Sequence, residues 1–264
     1  MIKKVIEEDE KIICIYHKNQ IVQFPAVCYN KCKRFHKCAA VHNKWLDFKY
    51  EFDTLVGFYE KELNESDVEL VLESEATPET VKKEKPDVLI VAIGGEPCIP
   101  SIKGLDKAKA YNAVDLLNGV IKPDGKAAVV IGGGEVGCET ALWLRRQGKE
   151  VALIEILEEL MSLEEMKYHT VVLERMLRGE GVNIYTRSRA EEINNGFVKI
   201  QTADKNIFEI PADFVAYSVG FKSPAEKINV FRDLSKEFYV IGDANEPHKI
   251  REAVHEADRV GRLV

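Results

Sequence analysis

The sequence lacks the features that direct a protein to a membrane or to a nucleic acid. No apolar run in its 264 residues approaches the roughly 18 to 20 residues that span a bilayer. The first residues, MIKKVIEEDEK, are charged and contain no apolar core of a secretory signal peptide. Acidic residues outnumber basic ones, 44 to 37, and the formal net charge of −7 disfavours nucleic acid as a partner. We therefore expect a cytoplasmic protein that binds neither membranes nor nucleic acids.

Cysteine is scarce, and its distribution is uneven. A cytoplasmic protein keeps its thiols reduced, so the six cysteines do not predict a disulfide framework. Three cysteines and two histidines lie close together along the chain, namely Cys28, Cys32, His36, Cys38 and His42. Thiolates at this density suit tetrahedral zinc, or an iron–sulfur centre if Cys14 joins them. The spacing of Cys28, Cys32 and Cys38 matches no standard metal signature, so free thiols and a redox disulfide stay as alternatives.

The strongest motif is a β-α-β pattern between residues 126 and 155. An apolar run at residues 127–131 predicts a strand buried on both faces. A helical pattern ends near Gln147, and a second apolar run ends at Glu155. Between the first strand and the helix lies a G-x-G-x-x-G turn, formed by Gly132, Gly133, Gly134, Glu135, Val136 and Gly137. A strand, glycine turn, helix, strand and terminal acid in this order are typical of a dinucleotide-binding unit.

Each glycine of the turn has a physical task. Gly132 permits the tight turn, Gly134 lets the backbone approach a pyrophosphate, and Gly137 lets the helix pack closely on the strand. The helix N-terminus presents N–H groups and partial positive charge to the phosphates. Glu155 is positioned to bind an adenosine ribose and favours NAD over NADP, because a carboxylate repels a 2′-phosphate. Basic neighbours weaken that preference, and a glycine-rich turn without a ligand is the alternative.

The other elements extend the α/β pattern. Apolar strands at residues 88–93, 214–219 and 238–241 end next to Gly94, Gly220 and Gly242. An amphipathic pattern at residues 249–263 predicts a terminal helix, and the cluster at residues 11–16 predicts a strand in a hairpin with residues 21–24. His169 and His255 lie beside apolar neighbours on helical segments, and we interpret both as structural.

Four blocks occur in a familiar order: residues 87–94 (DVLIVAIG), 129–139 (VVIGGGEVGCE), 212–224 and 239–256. From about residue 53 onward the chain therefore resembles the flavoproteins of the glutathione-reductase type, which contain two dinucleotide domains. It is most similar to the C-terminal half of the enoate reductase and 2,4-dienoyl-CoA reductase group of NADH:flavin oxidoreductases.

The resemblance implies a Rossmann-like, three-layer NAD(H)-binding domain at residues 106–211. This domain would be inserted in an FAD-type domain made of residues 53–105 and 212–264, after a Cys- and His-rich segment at residues 1–52. It also implies that Glu139 lies by the nicotinamide. The flavin would be held by the strand ends and by the terminal helix, at Gly94, Gly220, Gly242, Asp243 and Ile250. Judged from the residues alone, Glu139 can equally complement the helix dipole, and Asp243 can be a simple turn acceptor.

The chain also departs from this family. The family's flavin domain begins with its own G-x-G-x-x-G turn, and no such turn precedes residue 53 here. The barrel that carries FMN is absent as well, and Ile93 replaces a threonine. Two hypotheses follow. In the first, the chain is an oxidoreductase module that passes a hydride from NADH to FAD, and the flavin site is supplied by this chain or completed by a partner subunit. In the second, it is a non-catalytic NAD(H)- or metal-binding accessory subunit.

Overall fold

The computed structural model describes residues 2–7, 10–16, 58, 61, 69–71, 75–162 and 167–264. The candidate metal ligands Cys28, Cys32 and Cys38 lie outside these residues. The chain divides into two compact units, one made of residues 1–96 and 221–264 and the other of residues 97–220. None of the helices in the described ranges is long and apolar enough to cross a membrane.

The bounds of the elements follow the chain. The strands are β1 (Ile2–Glu7), β2 (Glu10–Tyr16), β3 (Glu69–Val71), β4 (Val88–Ala92), β5 (Glu96–Pro97), β6 (Ala110–Asn112), β7 (Ala127–Ile131), β8 (Glu150–Ile154), β9 (Asn183–Tyr185), β10 (Ser188–Asn194), β11 (Gly196–Thr202), β12 (Ile207–Ala212), β13 (Phe214–Tyr217), β14 (Phe221–Lys222) and β15 (Glu237–Val240). The helices are α1 (Pro78–Glu84), α2 (Ala113–Leu117), α3 (Glu135–Arg146), α4 (Lys167–Gly179), α5 (Ala225–Asn229) and α6 (Ile250–Leu263), with a 3-10 turn at Gly242–Ala244.

The unit of residues 1–96 and 221–264 contains a five-stranded sheet in the order β15-β4-β2-β1-β3. Strands β15, β4 and β2 are parallel, whereas β1 runs antiparallel to both of its neighbours. The core of the unit joins the sheet to α1 and α5 through Val81, Leu89, Val91, Ile228 and Phe231. Two parallel strands, β4 and β15, therefore end side by side, before Gly94 and Gly242 respectively.

Strand β2 corrects one prediction from the sequence. Residues 11–16 form a strand as expected, but β2 pairs with β1 on one side and with β4 on the other. Both edges of the strand are occupied, so the predicted hairpin with residues 21–24 is wrong. The run of Ile12, Ile13, Cys14 and Ile15 is apolar at every position, which suits an interior strand rather than one arm of an exposed hairpin. Strands β1 and β2 thus join residues of the predicted N-terminal segment to this sheet.

The unit of residues 97–220 is a three-layer α/β structure. Its parallel sheet has the order β6-β13-β7-β8-β9, and the antiparallel sheet β10-β11-β12 covers one face of it. The core between the two sheets includes Val129, Ile131 and Ile154 from one side and Val198 and Ile200 from the other. Helix α3 packs against β7 and β8. The predicted α/β class with parallel sheets is confirmed.

The strand order creates a crevice at one edge of the parallel sheet. From β7 the chain continues to β8 on one side, whereas β13 lies on the other side of β7. In open α/β sheets, ligands bind outside the carboxyl ends of the strands at the point where the strand order reverses. The topology therefore predicts a ligand site at the residues that follow β7, β8 and β13.

Asp213 connects β13 to the start of β7. Its Oδ2 atom accepts hydrogen bonds from the backbone N–H groups of Lys126 at 2.7 Å and Ala127 at 2.9 Å. The N–H groups of Ala127 and then Lys126 hold the pKa of Asp213 below its ordinary value. A carboxyl group whose pKa is lower in the folded state contributes stability above its unfolded pKa, and that contribution disappears as the pH falls through the folded pKa.

We expect Asp213→Asn to lower the Tm by a few degrees at neutral pH, because the charge that strengthens both hydrogen bonds is lost. The difference from the wild type should begin to shrink as the pH falls below the ordinary pKa of an aspartate, and it should vanish once the pH has passed through the lowered pKa of Asp213 in the folded protein. Thermal unfolding followed by circular dichroism across this range measures both effects. Asp204→Asn, in the exposed turn between β11 and β12, is the matched control. An equal loss of Tm in the control, or a difference independent of pH, would contradict the prediction.

Candidate functional site

A cavity of about 580 Å³ lies in the unit of residues 97–220, within the size range of ligand pockets. The residues that follow β7, β8 and β13 line it, together with residues from β10 and from the segments before β6 and before α4. Of the predicted site residues, the lining includes Gly132, Gly133, Gly134, Glu155 and Gly220. The other predicted residues at the start of α3 are not among the residues that line the cavity, namely Glu135, Val136, Gly137 and Glu139.

Two glycines of the turn are required by close backbone packing. Gly132 has φ +104°, and a Cβ atom on it would lie 2.1 Å from the carbonyl oxygen of Ser218. A Cβ atom on Gly137 would lie 1.9 Å from the carbonyl oxygen of Gly132. Both contacts involve backbone atoms, which cannot rotate away. The first turn of α3 therefore sits directly on the end of β7, as the sequence predicts for a dinucleotide turn.

Gly134 differs from its neighbours because the space beside it is open. It is the N-cap of α3 with φ −68° and makes no side-chain cap hydrogen bond, and a Cβ atom built on it meets no atom within 4 Å. The N-terminus of a 12-residue helix thus faces an open space at the cavity. Its N–H groups and partial positive charge suit an anion such as a pyrophosphate, which is worth about 0.3–1 kcal/mol per charge at an exposed helix end.

Glu155 follows β8 and is 8% exposed. Its Oε2 atom accepts a hydrogen bond from the N–H of Gly133 at 2.5 Å, and its Oε1 atom accepts one from the N–H of Leu157 at 2.7 Å. The carboxylate therefore connects the glycine turn to the segment after β8. Each carboxylate oxygen can accept a further hydrogen bond, so the side chain can also bind a ribose hydroxyl at the cavity wall.

Cys138 and Glu139 are buried side chains of α3 that follow the glycine turn. The Cys138 thiol donates to the carbonyl oxygen of Gly133 at 3.4 Å. Burial raises the pKa of this thiol well above its ordinary value, and the carboxylates of Glu139 and Glu155 add to the effect. Cys138 therefore stays protonated and supports the turn. Glu139 is 3% exposed on the inner side of α3.

Several cavity residues were missed by reasoning from the sequence. They lie on β10 and on the segments before α4 and after β13, namely Ser188, Arg189, Ala190, Met161, Ser162 and Ser218. No local motif marks them, because they reach the cavity through packing of the antiparallel sheet and of the helix connections. Of these residues, only Ser218 could have been predicted from the sequence, because it lies near the end of a predicted apolar strand, before Gly220.

The predicted flavin residues Gly94, Gly242 and Asp243 lie together in the unit of residues 1–96 and 221–264. Gly94 has φ +77° and Gly242 has φ +63°. A Cβ atom on the adjacent Gly95 would lie 3.4 Å from the Cβ atom of Asp243, so the ends of β4 and β15 approach closely. The Oδ1 atom of Asp243 accepts from the N–H of His248 at 3.2 Å, and Ile250 begins α6 shortly afterwards.

Glu256 of α6 is a further residue that the sequence did not mark. Its Oε2 atom accepts from the N–H of Gly242 at 2.6 Å, and its Oε1 atom accepts from the side-chain amide of Asn245 at 2.9 Å. Glu256 thereby fixes the turn that carries Asp243. The ends of β4 and β15 lie close together, and the turn that carries the Asp243 carboxylate is held in place. Both features fit the ribityl portion of a flavin nucleotide.

The described residues of this unit include no equivalent site for the diphosphate portion of FAD. Strand β2 lies next to β4, and the residues after it, HKNQ, contain no glycine. The first glycine of the chain is Gly57. The described residues of the unit therefore provide no counterpart of the glycine turn at Gly132 to Gly137, and the fit to FAD covers only part of the cofactor.

The fold and the cavity define a Rossmann-like dinucleotide-binding protein. Residues 18–257 match the profile of the family described as pyridine nucleotide-disulphide oxidoreductase. The chain belongs to this family.

Individual relatives agree with this assignment. Cinnamate reductase of Clostridium sporogenes is 32% identical over 221 residues, which make up 83% of this chain and 32% of the relative. Bilirubin reductase of Mediterraneibacter gnavus is 31% identical over 198 residues, or 75% of this chain and 30% of the relative. A solved 2-naphthoyl-CoA reductase superimposes with a TM-score of 0.86 at 25% identity, over 96% of this chain and 39% of its own. The chain thus spans about a third of the curated relatives, and the predicted resemblance to enoate-reductase-type flavoproteins is confirmed.

We expect Gly134→Ala to keep the fold and to weaken NADH binding by roughly tenfold or more, because the added methyl group occupies the space through which the pyrophosphate approaches. Gly137→Ala should instead destabilise the protein by about 1–3 kcal/mol or more through its clash with the carbonyl of Gly132. Thermal unfolding and NADH titration calorimetry separate the two effects. Gly179→Ala, which also meets no atom within 4 Å, is the control for both. Unchanged NADH affinity in Gly134→Ala would show that the ligand does not approach this turn.

Proposed function

We propose that the chain binds NADH in the unit of residues 97–220 and passes its hydride to a flavin. The observation that carries this proposal is the glycine turn. Gly132 and Gly137 are required by backbone packing, whereas Gly134 is open to the cavity at the N-terminus of α3. The open space beside Gly134 leaves room for the backbone to approach a pyrophosphate. Relatives named NADH oxidase, such as that of Thermoanaerobacter brockii at 33% identity over 202 residues, support NADH as the electron donor.

NADH rather than NADPH is the proposed donor because of Glu155. Its carboxylate lies at the end of β8, where it lines the cavity and is held by the N–H groups of Gly133 and Leu157. A side chain fixed at both oxygens cannot swing away from an additional phosphate without breaking these hydrogen bonds. The 2′-phosphate of NADPH would therefore meet a fixed negative charge.

The flavin is the proposed hydride acceptor. When bound, it supplies the chemistry that takes up a hydride and releases electrons singly or in pairs. The residues of this chain that support it are Gly94, Gly95, Gly242 and Asp243 at the ends of β4 and β15, with Glu256 fixing the turn. Because the described residues offer no phosphate-binding turn in this unit, we propose that a partner subunit completes the site.

The second candidate function is a non-catalytic NAD(H)- or metal-binding accessory subunit. The observation that favours it is the sequence after β2, which lacks glycine up to Gly57. Loss of a helix-terminus phosphate site removes a major part of the affinity for FAD. The candidate metal ligands Cys28, Cys32 and Cys38 belong to this alternative, and zinc or iron–sulfur binding there stays a prediction.

Glu155→Gln should reduce the preference for NADH over NADPH by roughly tenfold, equivalent to about 1.4 kcal/mol. The neutral amide no longer repels a 2′-phosphate, and its oxygen can accept only one of the two backbone hydrogen bonds. Stability should also fall by about 1.5–3 kcal/mol, the usual contribution of a hydrogen bond to a charged group. Calorimetric titration with both nucleotides measures the preference. Glu209→Gln, an exposed carboxylate on β12 that does not line the cavity, is the control and should leave both quantities unchanged.

The visible spectrum and NADH oxidation test the proposed function directly. The purified chain, supplied with FAD, should become yellow and should oxidise NADH with an artificial electron acceptor. Asp243→Asn should reduce the rate of NADH oxidation but leave NADH binding in the other unit unchanged. A chain that binds NADH but remains colourless and inactive would support the accessory subunit instead. If the chain binds no nicotinamide nucleotide at all, the oxidoreductase function and the NAD(H)-binding accessory function are both overturned. Only the metal-binding accessory function would then stay.

A further inference from the structure

Arg189 brings a positive charge to a cavity whose other charged groups are acidic. It lies on β10 and is exposed, whereas its neighbours Ser188 and Ala190 are buried. The carboxylates of the cavity lining belong to Glu155 and Glu159, and Arg189 is the one cation among the described residues of that lining. The glycine turn and Glu155 carry the proposed binding of NADH without it, so the guanidinium is available for a separate contact with the ligand.

The start of β10 places Arg189 beside the end of β8. The N–H of Ser188 donates to the carbonyl oxygen of Glu155 at 2.9 Å, and the N–H of Arg187 donates to that of Leu157 at 2.8 Å. Arg189 follows directly in the same strand and lines the cavity. Because these hydrogen bonds hold the two backbone segments together, Arg189 lies in the part of the cavity wall that adjoins Glu155.

Two apolar side chains belong to the same part of the wall. Ile156 and Leu157 line the cavity and are 58% and 46% exposed. Exposed apolar groups of this size often mark a ligand-binding surface. A flat, uncharged ring can cover them and can also stack on a planar guanidinium. In the proposed NADH site, the ribose bound by Glu155 carries such a ring, the adenine.

We propose that Arg189 binds the adenine ring of the dinucleotide by stacking its guanidinium on the face of the ring. This role rests on the proposed binding of NADH in the cavity. Nucleobases stack readily on arginine side chains, because the guanidinium is planar and weakly hydrated. The alternative partner of an arginine here is the 2′-phosphate of NADPH. That phosphate would bring its charge into a cavity that already contains the carboxylates of Glu155 and Glu159.

Substitutions that separate the planar shape of the guanidinium from its charge test this role. Arg189→Ala should weaken the binding of NADH and of ADP-ribose by the same factor, roughly tenfold, because both contain the adenine. Arg189→Tyr provides an uncharged ring that can stack, so it should retain most of the affinity. Arg189→Lys keeps the charge on a side chain that has no planar face, and it should lose nearly as much as Arg189→Ala. Calorimetric titration of each variant with both ligands measures these differences.

Arg175→Ala, which removes an exposed arginine of α4 outside the cavity lining, is the control and should leave both affinities unchanged. Full affinity in Arg189→Ala or in Arg189→Lys would overturn the proposal, and so would a loss in Arg189→Tyr equal to that in Arg189→Ala. A wild-type chain that binds neither NADH nor ADP-ribose would give a different result, since it would overturn the proposed function of the cavity. Because Arg189 is exposed, every variant should fold, and circular dichroism checks this.

Discussion

The contact between two backbone segments, the end of β7 and the first turn of α3, determines the rest of the site. The carbonyl oxygen of Gly132 occupies the position that a Cβ atom of Gly137 would need, and the carbonyl of Ser218 does the same beside Gly132. Ser218 also donates its N–H to Ile131 at 2.8 Å, so β13 is drawn to the same point. Because these contacts leave no room for side chains, α3 begins close to the sheet and its N-terminus faces the cavity. An anion at the cavity therefore meets backbone N–H groups whose position the fold has already fixed.

Glu155 adds a charge to this rigid frame. Its carboxylate is bonded to the N–H groups of Gly133 and Leu157, and its own N–H donates to Tyr185 at 2.8 Å. A residue that serves only to bind a ribose needs a side chain that reaches the cavity, but it needs no hydrogen bonds to the glycine turn. Glu155 is instead a structural part of the turn, and this reduces the ordering that ligand binding requires. Because of the same rigidity, the proposed discrimination between nucleotides and the stability of the turn would both depend on the Glu155 side chain.

Local features of the fold follow from the sequence, and long-range ones do not. The strand β7, the glycine turn and the boundaries of α3 are determined by residues within one short segment, where hydrophobic periodicity and glycine position are informative. Strand β2 was also identifiable as apolar, but its pairing with β1 and β4 depends on residues distant in sequence. The cavity walls from β10 and from the segment before α4 arise in the same way. Glu256 is a further case, since nothing near it in the sequence indicates that it accepts the N–H of Gly242.

The two units differ in how they can bind a dinucleotide. Such a ligand needs a crevice at the ends of parallel strands and a group of N–H donors for its phosphates. The unit of residues 97–220 provides both, because the ends of β7, β8 and β13 line the cavity and the N-terminus of α3 supplies the N–H donors. In the other unit, β4 and β15 end beside Gly95 and Asp243, but the strand next to β4 is followed by HKNQ rather than by a glycine turn. The proposed binding of a nicotinamide nucleotide can therefore rest on one unit of this chain, whereas the proposed binding of a flavin needs phosphate donors that the described residues of the other unit do not provide.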